Sequence, residues 1–381
     1  MNARHQVSLA IIVGIRSQYM KLASLQAGVR TWNIAKHPHV ELISINSGQH
    51  YSSSLAAQYL REYSLAIDID LTATHNKHNP DEMFSSMYVH IANCLRTLSR
   101  IDAVVVFGDA NTTLAGALAA RRLNLPLVHV ESGLRTGTWS HEEINRVVTD
   151  RISDLRLVSS RTHQKNLISE NLDYNSYYVG DLVQDLVTPI AIEPEPPSRS
   201  YVLASIHRQE NLRDGGLIER IFNACVREHL PVMFLAHPKV LGAAQAAAER
   251  IGALITVVES LPHRELLRAV RHSKFLITDS GGLQREAYYL RRRAIVIQDV
   301  PLWQGLVQAG FHTASATDSS SLRAGLMWAI ANQHRPLPPY VDFGEVPVAQ
   351  RTIDAIVGWI TDPSTPISRN TPDIYNQATL D

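Results

Sequence analysis

The sequence predicts an α/β protein built from two doubly wound parallel-sheet domains that face each other across an interdomain cleft. Three observations predict it. Continuous apolar runs, the clearest closed by glycine, recur along the chain as strands buried on both faces do. Between them lie segments whose apolar positions repeat at three and four, the helical period. The strand–helix alternation breaks once, at a proline-rich stretch near the middle, and then restarts.

The elements follow in order. The apolar run at Ser8–Val13 predicts the first strand, and Ser17–Lys36 the first helix. Val40–Asn46 reads as a second strand, followed by the turn-rich Ser47-Gly48-Gln49-His50. A helix is expected over Asp81–Leu98. Asp102–Phe107, Thr112–Arg122 and Leu125–Val130 form a strand–helix–strand unit. Glu143–Ile152 reads as helix, Leu155–Ser159 as strand and Arg161–Glu170 as helix. The stretch 188–200 (TPIAIEPEPPSRS) is rich in proline and almost aperiodic, which marks an interdomain linker. The pattern then resumes with strands at Tyr201–Ile206, Pro231–Ala236, Ile255–Val258, Phe275–Thr278 and Ala294–Gln298. Helices are expected between them at Gly216–Glu228, Val240–Ile251, Pro262–His272 and Gly282–Leu290. The division is therefore a first domain over 1–187, the linker, a second domain over 201–361 and a polar tail over 362–381.

Composition narrows the function. The 381 residues hold 36 basic and 36 acidic side chains, a balance that argues against a general binder of nucleic acid or of membrane surfaces. Two cysteines, Cys94 and Cys225, and no CxxC leave no disulfide framework or cysteine-rich zinc site to expect, and fit a cytoplasmic protein. The run Val7–Val13 is too short to span a bilayer and reads as a strand, not a signal peptide; no later segment reaches spanning length.

Chemistry concentrates at the predicted strand ends, where open α/β sheets bind ligands. Asp109 follows one apolar run and Glu131 another, with Glu142 in the next loop. Singly, each serves as a cap or an ion pair, and Arg135 and Arg146 are near enough in sequence to be the partners. Together, carboxylates at buried strand ends suit acid–base work in a cleft. Gly14-Ile15-Arg16, with Lys21 beyond it, puts a glycine turn and two cations at the first strand's end, which suits a diphosphate as well as an ordinary surface turn. Asp279-Ser280-Gly281-Gly282 follows a strand and opens a helix; phosphate binding and plain capping are both open readings. Glu286 lies on that helix. His207-Arg208-Gln209-Glu210 and His237-Pro238 end two further strands, with phosphate contact, proton donation or a structural histidine as the alternatives. No second spaced ligand pair supports a metal.

These pieces resemble the non-hydrolysing UDP-N-acetylglucosamine 2-epimerases. The matching residues run in the family's order: Gly14-Ile15-Arg16 with Lys21; Gln49-His50; Gly108-Asp109 with Thr112-Thr113; His129 to Gly137 (HVESGLRTG); Glu142-Glu143-Ile144-Asn145-Arg146; His207-Arg208 with Glu210; and Thr278 to Gly282 with Glu286. They extend from the first strand to about residue 310. The resemblance implies two Rossmann-like domains arranged as in the GT-B glycosyltransferases, a nucleotide-sugar substrate and a homodimer. It implies inversion of carbon 2 without metal or nicotinamide cofactor. The nucleoside diphosphate is first eliminated to leave a glycal, then returned. Asp109, Glu131 and Glu142 would supply acid and base. Arg16, Lys21, His207, Ser280 and the helix start at Gly281-Gly282 would hold the diphosphate, with Arg135, Arg146, Arg208 and His237 in the same site and Glu286 on the ribose. Gln49-His50 would lie near a second, regulatory site.

The departures cluster around recognition. The family's G-T-R-P-E is Gly14-Ile15-Arg16-Ser17-Gln18 here; the approach to Glu142-Glu143 lacks Pro-Trp-Pro; R-D-x-T-E-R-P-E is replaced by Gln298 to Gly305 (QDVPLWQG); and His263 stands where an aromatic is usual. The acidic residues are untouched, so the expectation is retained chemistry, UDP-GlcNAc to UDP-ManNAc, with an altered base or sugar left open. A hydrolysing 2-epimerase releasing free sugar, and a GT-B glycosyltransferase, are the competing readings.

Overall fold

The computed structural model describes every residue except 1–5, 37, 50–58, 73–78, 195–199, 260, 299–300, 338–346 and 362–381. His50, residues 195–199 of the proline-rich linker and the polar tail therefore lie outside the described residues.

Two parallel sheets form, as the alternation predicts. The first has the order β3-β2-β1-β4-β5-β6-β7. Its strands are β1 Gln6–Val13, β2 His39–Asn46, β3 Ile69–Asp70, β4 Ala103–Phe107, β5 Leu127–Ser132, β6 Leu155–Val158 and β7 Ser176–Tyr178. The second has the order β10-β9-β8-β11-β12-β13. It comprises β8 Val202–Ser205, β9 Val232–Leu235, β10 Ile255–Val258, β11 Leu276–Thr278, β12 Ala294–Ile297 and β13 Thr313–Ser315. The apolar runs explain the arrangement: every residue of β4 is buried, as are seven of the eight in β1. Burying each such Val or Ile contributes roughly 1.5–3 kcal/mol. Strand order reverses between β1 and β4 in one sheet and between β8 and β11 in the other, and there the crevices open.

The halves are not isolated units. One buried apolar cluster runs from Leu9 and Val105 through Val187 to Leu267, Leu276 and Val296. The helix Val183–Ala191 carries this junction, so helical structure extends past residue 187, with Pro189 inside it. The last helix, Val348–Thr361, returns to the first half. Asp185 accepts from the Val348 and Ala349 N–H groups at 2.8 and 2.7 Å, and Lys36 pairs with Asp354 at 2.8 Å. Gly28 permits this approach, since a Cβ there would lie 2.6 Å from that of Ala349. A boundary drawn by sequence order alone assigns that helix to the second half; its packing belongs to the first.

Candidate active site

The strand ends at the two reversal points assemble the site. At the end of β1, Gln18 fastens the turn that bears Arg16. Its Oε1 accepts from the Gly14 and Ile15 N–H groups at 2.9 and 3.3 Å, and its Nε2 donates to the Phe107 carbonyl and Thr113 Oγ1, both at 3.0 Å. A neutral amide therefore occupies the position where the resembled family has a carboxylate. Arg16 itself is exposed and lies over the Tyr59 ring, 4.8 Å from its centroid.

Glu131 sits in a break of the sheet. The β5–β6 register shifts between Val130 and Ser132, and Glu131 takes a left-handed φ of 68°. Such backbone is strained for a residue with a Cβ and persists only where its surroundings fix it. The bulge sets the carboxylate between two cations: Oε2 contacts Lys21 Nζ, and Oε1 accepts from Arg285 Nη1 at 3.2 Å. Gly108, with φ 64°, supplies the left-handed turn beside this pair. Burial, then the charge of Arg285, push the Lys21 ammonium down to about 7, against the pull of Asp181 and Asp109. Lys21, expected as a diphosphate ligand, is thus a buried partner of Glu131.

Asp109 pairs with Arg146, whose other nitrogen reaches Glu143 Oε2 at 2.5 Å. Glu143 also accepts from the Thr136 N–H at 3.1 Å and from Thr136 Oγ1 at 3.0 Å, so it closes the loop after β5. Glu142, singled out from the sequence, is exposed one residue earlier in the helix His141–Ile152. Adjacent helical residues point about 100° apart, and here Glu143 takes the inward direction.

The HVESGLR segment is mainly a scaffold. His129 Nε2 meets the Gly108 carbonyl at 2.8 Å, and Nδ1 meets Asp150 Oδ1 at 2.6 Å. Asp150 in turn holds the Gly133 N–H at 3.0 Å and Arg135 Nη1 at 2.8 Å. Arg135 is further tied to Glu170 at 2.7 and 2.9 Å, so its guanidinium is committed to structure. The sequence named neither Asp150 nor Glu170, which act through partners distant in the chain.

The second half supplies groups of the other character. At the end of β8, the His207 ring is held by Asp279, with Nδ1 2.9 Å from Oδ1; its side chain is 44% exposed. Asp279 is fully buried. Burial works against its ionisation, but the His207 hydrogen bond and charge, then Asn211 and the Arg208 N–H, hold it below the usual carboxylate range. Arg208 donates through Nε to the Asp279 carbonyl at 3.0 Å. His237 lies near enough to His207 to be pushed down by it, after burial and Lys239. Ser280 caps the helix Gly281–Tyr289, accepting from the Leu283 N–H at 3.3 Å. A Cβ on Gly282 would meet nothing closer than Ser280 Oγ at 3.7 Å, whereas one on Gly281 would lie 2.6 Å from Leu302 Cδ2, so this helix start is approachable at Gly282 and covered by Leu302 at Gly281.

Glu286 is buried and bonded to His263 Nε2 at 2.9 Å; His263 Nδ1 contacts the Tyr63 hydroxyl of the first half. Burial opposes its ionisation, while His263, then Arg16 and Arg285, hold its carboxyl low. Glu62 accepts from the His263 N–H at 2.9 Å and from that of Arg264 at 2.5 Å, capping the helix His263–His272 across the cleft. Gln49 Oε1 accepts from the Thr112 N–H at 2.8 Å. The structure thus brings Asp109, Glu131, Lys21 and Arg146 together and sets Arg16 toward Glu286. It leaves Glu142 exposed and Arg135 in the scaffold.

Two parallel doubly wound domains with a cleft between their reversal points, acidic on one wall and histidine- and helix-end-lined on the other, define a GT-B-like α/β enzyme. Comparison with known proteins gives the family. Residues 32–357 match the family model described as UDP-N-acetylglucosamine 2-epimerase. A protein of Methanococcus maripaludis named UDP-N-acetylglucosamine 2-epimerase homolog is 28% identical over 325 residues, covering 80% of this chain and 88% of the relative. The UDP-2,3-diacetamido-2,3-dideoxy-D-glucuronate 2-epimerase of Pseudomonas aeruginosa is 28% identical over 319 residues, covering 80% and 87%. The crystal structure of the Methanocaldococcus jannaschii UDP-GlcNAc 2-epimerase, in complex with UDP-GlcNAc and UDP, superposes with a TM-score of 0.77 at 25% identity. It covers 92% of this chain and 99% of that one. The chain belongs to the UDP-N-acetylglucosamine 2-epimerase family, isomerases of the non-hydrolysing type.

Proposed function

We propose that the chain inverts carbon 2 of a UDP-N-acetylhexosamine, interconverting UDP-GlcNAc and UDP-ManNAc or a closely related nucleotide sugar. The observation that carries this is the division of the cleft. Two cation-paired carboxylates, Asp109 and Glu131, end adjacent strands of one half, while His207 and the helix start at Ser280-Gly281-Gly282 belong to the other.

The chemistry requires that division. The carbon 2 proton is not adjacent to a carbonyl and is not acidic. Breaking the C1–O bond places the electron pair on the diphosphate oxygen and positive charge on C1. A carboxylate then takes the carbon 2 proton, and a C1–C2 double bond forms. Proton return to the opposite face and re-addition of the diphosphate oxygen to C1 give the epimer. Asp109 and Glu131 act as the acid–base pair, contributions typically worth about 10²–10⁴-fold. Arg16, His207, Arg208, His237, Ser280 and the N–H groups of Gly281 and Gly282 bind the departing diphosphate, whose charge grows in the transition state. Glu142 completes the acidic rim, Arg146 and Glu143 hold Asp109, and Glu286 takes the ribose. Closure of the halves keeps water from the glycal.

The glucuronate-derived substrate named for the P. aeruginosa relative bears on the sugar: at 28% identity this family accommodates more than one hexose. A homodimer in the cytoplasm belongs to the same reading; among the described residues no helix is long and apolar enough to cross a membrane. Incubation with UDP-GlcNAc followed by 31P and 1H NMR tests the function. The expected product is an intact UDP-ManNAc signal at equilibrium with substrate. Free reducing sugar with UDP would mean hydrolysis, and transfer to an added acceptor would mean a glycosyltransferase.

A further inference from the structure

Glu131 is held from both sides of the cleft, and the second hold is Arg285. This residue lies in the helix Gly281–Tyr289 of the second half, three residues after Gly282 and one before Glu286. Its Nη1 donates to Glu131 Oε1 at 3.2 Å and to Asp181 Oδ2 at 3.0 Å. Tyr289, on the same helix, donates to that Asp181 oxygen at 2.9 Å, and the guanidinium lies over the Trp303 ring at 4.8 Å. Arg285 is thus held by Asp181, itself fixed by the Tyr289 phenol, and by an aromatic face. A bridge that served only to join the halves would be complete with Asp181. The additional contact is made to the one carboxylate, among the described residues, whose backbone is both bulged and left-handed.

The charged groups around Glu131 come from every element packed there. Lys21 faces it from the first helix, Arg285 from the second half, and Asp181 from the turn after β7. Asp109 and Arg146 lie within electrostatic reach of Lys21. Lys21 occupies one carboxylate oxygen and Arg285 the other. Lys21 comes from Glu131's own half, so only the Arg285 contact depends on how the halves are placed.

We propose that Arg285 is the positioning residue for Glu131: when the halves close, it docks between Glu131 and Asp181, aims the carboxylate across the cleft and supplies the counter-charge that completes its site. The proposal rests on Glu131 acting on the carbon 2 proton. It links assembly of the site to closure through a single side chain, and so makes proton transfer contingent on the closed form. A lysine at this position keeps the charge but loses the flat guanidinium that lies over the Trp303 ring while Nη1 meets both carboxylates.

The test compares Arg285→Gln, Arg285→Lys and Asp181→Asn with UDP-GlcNAc and its carbon 2-deuterated form. Arg285→Gln should lower kcat by about 100-fold or more with KM within about threefold, and the primary isotope effect on kcat should rise as C–H cleavage becomes limiting. Arg285→Lys should recover at least about tenfold of that loss. Asp181→Asn removes the anchor without touching Glu131 and should reproduce the kcat loss in a milder form; it carries the test if Arg285→Gln does not fold. Wild-type-like kcat in Arg285→Gln overturns the proposal. So do equal losses in the Gln and Lys variants with an unchanged isotope effect, the mark of a structural bridge. Glu131→Gln is measured alongside. Normal turnover there removes the role of Glu131 itself, whereas an inactive Glu131→Gln beside a normal Arg285→Gln removes only the role of Arg285.

Discussion

His207 and Asp279 form a pair in which the buried partner fixes the exposed one. Asp279 Oδ1 lies 2.9 Å from His207 Nδ1, and the same carboxylate accepts from the backbone N–H groups of His207 and Arg208 and from Asn211 Nδ2. One ring nitrogen is thereby engaged and Nε2 is left for the cleft. All these donors come from residues 207–211, so Asp279 orients the whole turn after β8. Asp279→Asn keeps the size but loses the charge that holds the ring. It should lower kcat/KM about 10–100-fold and weaken UDP binding in calorimetry, and His207→Asn should lose as much without lowering the thermal midpoint, because its side chain is half exposed.

Arg146 separates two carboxylates at 2% side-chain exposure. Arg146→Met would leave Asp109 and Glu143 facing each other with no cation. Breaking a buried pair in this way costs about 3–5 kcal/mol. Urea unfolding should show a loss of that order together with loss of turnover; a stable, active variant would place the acid–base pair elsewhere.

The adjacent glutamates should separate cleanly. Glu143→Gln removes a charge that Arg146 and Thr136 are built around, and should lower both the melting temperature and kcat. Glu142 is exposed, with no hydrogen bond or ion pair to any described residue. Glu142→Gln should leave the melting temperature within about 1 °C while lowering kcat roughly tenfold or more through its role at the acidic rim. Unchanged kinetics would limit the acid–base set to Asp109 and Glu131.

Acid sensitivity should be traceable to His163. Burial, then the charges of Arg146 and Arg285, push its imidazole down to about 3 from an ordinary value of 6.5. The folded value is the lower one, so the unfolded chain binds the extra proton between pH 6.5 and 3, and stability falls as pH drops through that window. The contribution at pH 5 is about 2 kcal/mol. The difference in unfolding free energy between pH 7.5 and pH 5 should therefore be smaller by about that amount in His163→Gln than in the wild type. Equal differences would show that other groups carry the acid sensitivity.

Much of this site is legible in the sequence because its parts sit at the ends of apolar runs. Gly14-Ile15-Arg16, Asp109, Glu131, His207 and Ser280 each end a strand, and their convergence follows once the strand order reverses at β1/β4 and β8/β11. The rest depends on distances that no local pattern encodes. Arg285 is an ordinary helical cation in sequence, and its partner Glu131 is 154 positions away. Glu142 and Glu143 differ only by one step of helical rotation, which periodicity over a short polar stretch does not resolve. Lys21 reads as a diphosphate ligand and Arg135 as a partner of nearby carboxylates; in the fold Lys21 pairs with Glu131, and Arg135 with Asp150 and Glu170, which neither motif names. The last helix follows the second half in sequence and packs on the first because Asp185 caps it and Gly28 admits it.

The central claim is that Asp109 and Glu131 move the carbon 2 proton of a nucleotide sugar whose diphosphate stays in the cleft. Turnover of a nucleotide-sugar panel in deuterated water, read by 1H NMR and mass spectrometry, tests it most directly. One deuterium should enter at carbon 2 of an intact nucleotide sugar, and Asp109→Asn and Glu131→Gln should abolish its entry. Epimerisation with no deuterium incorporated, or full incorporation in both variants, would contradict it.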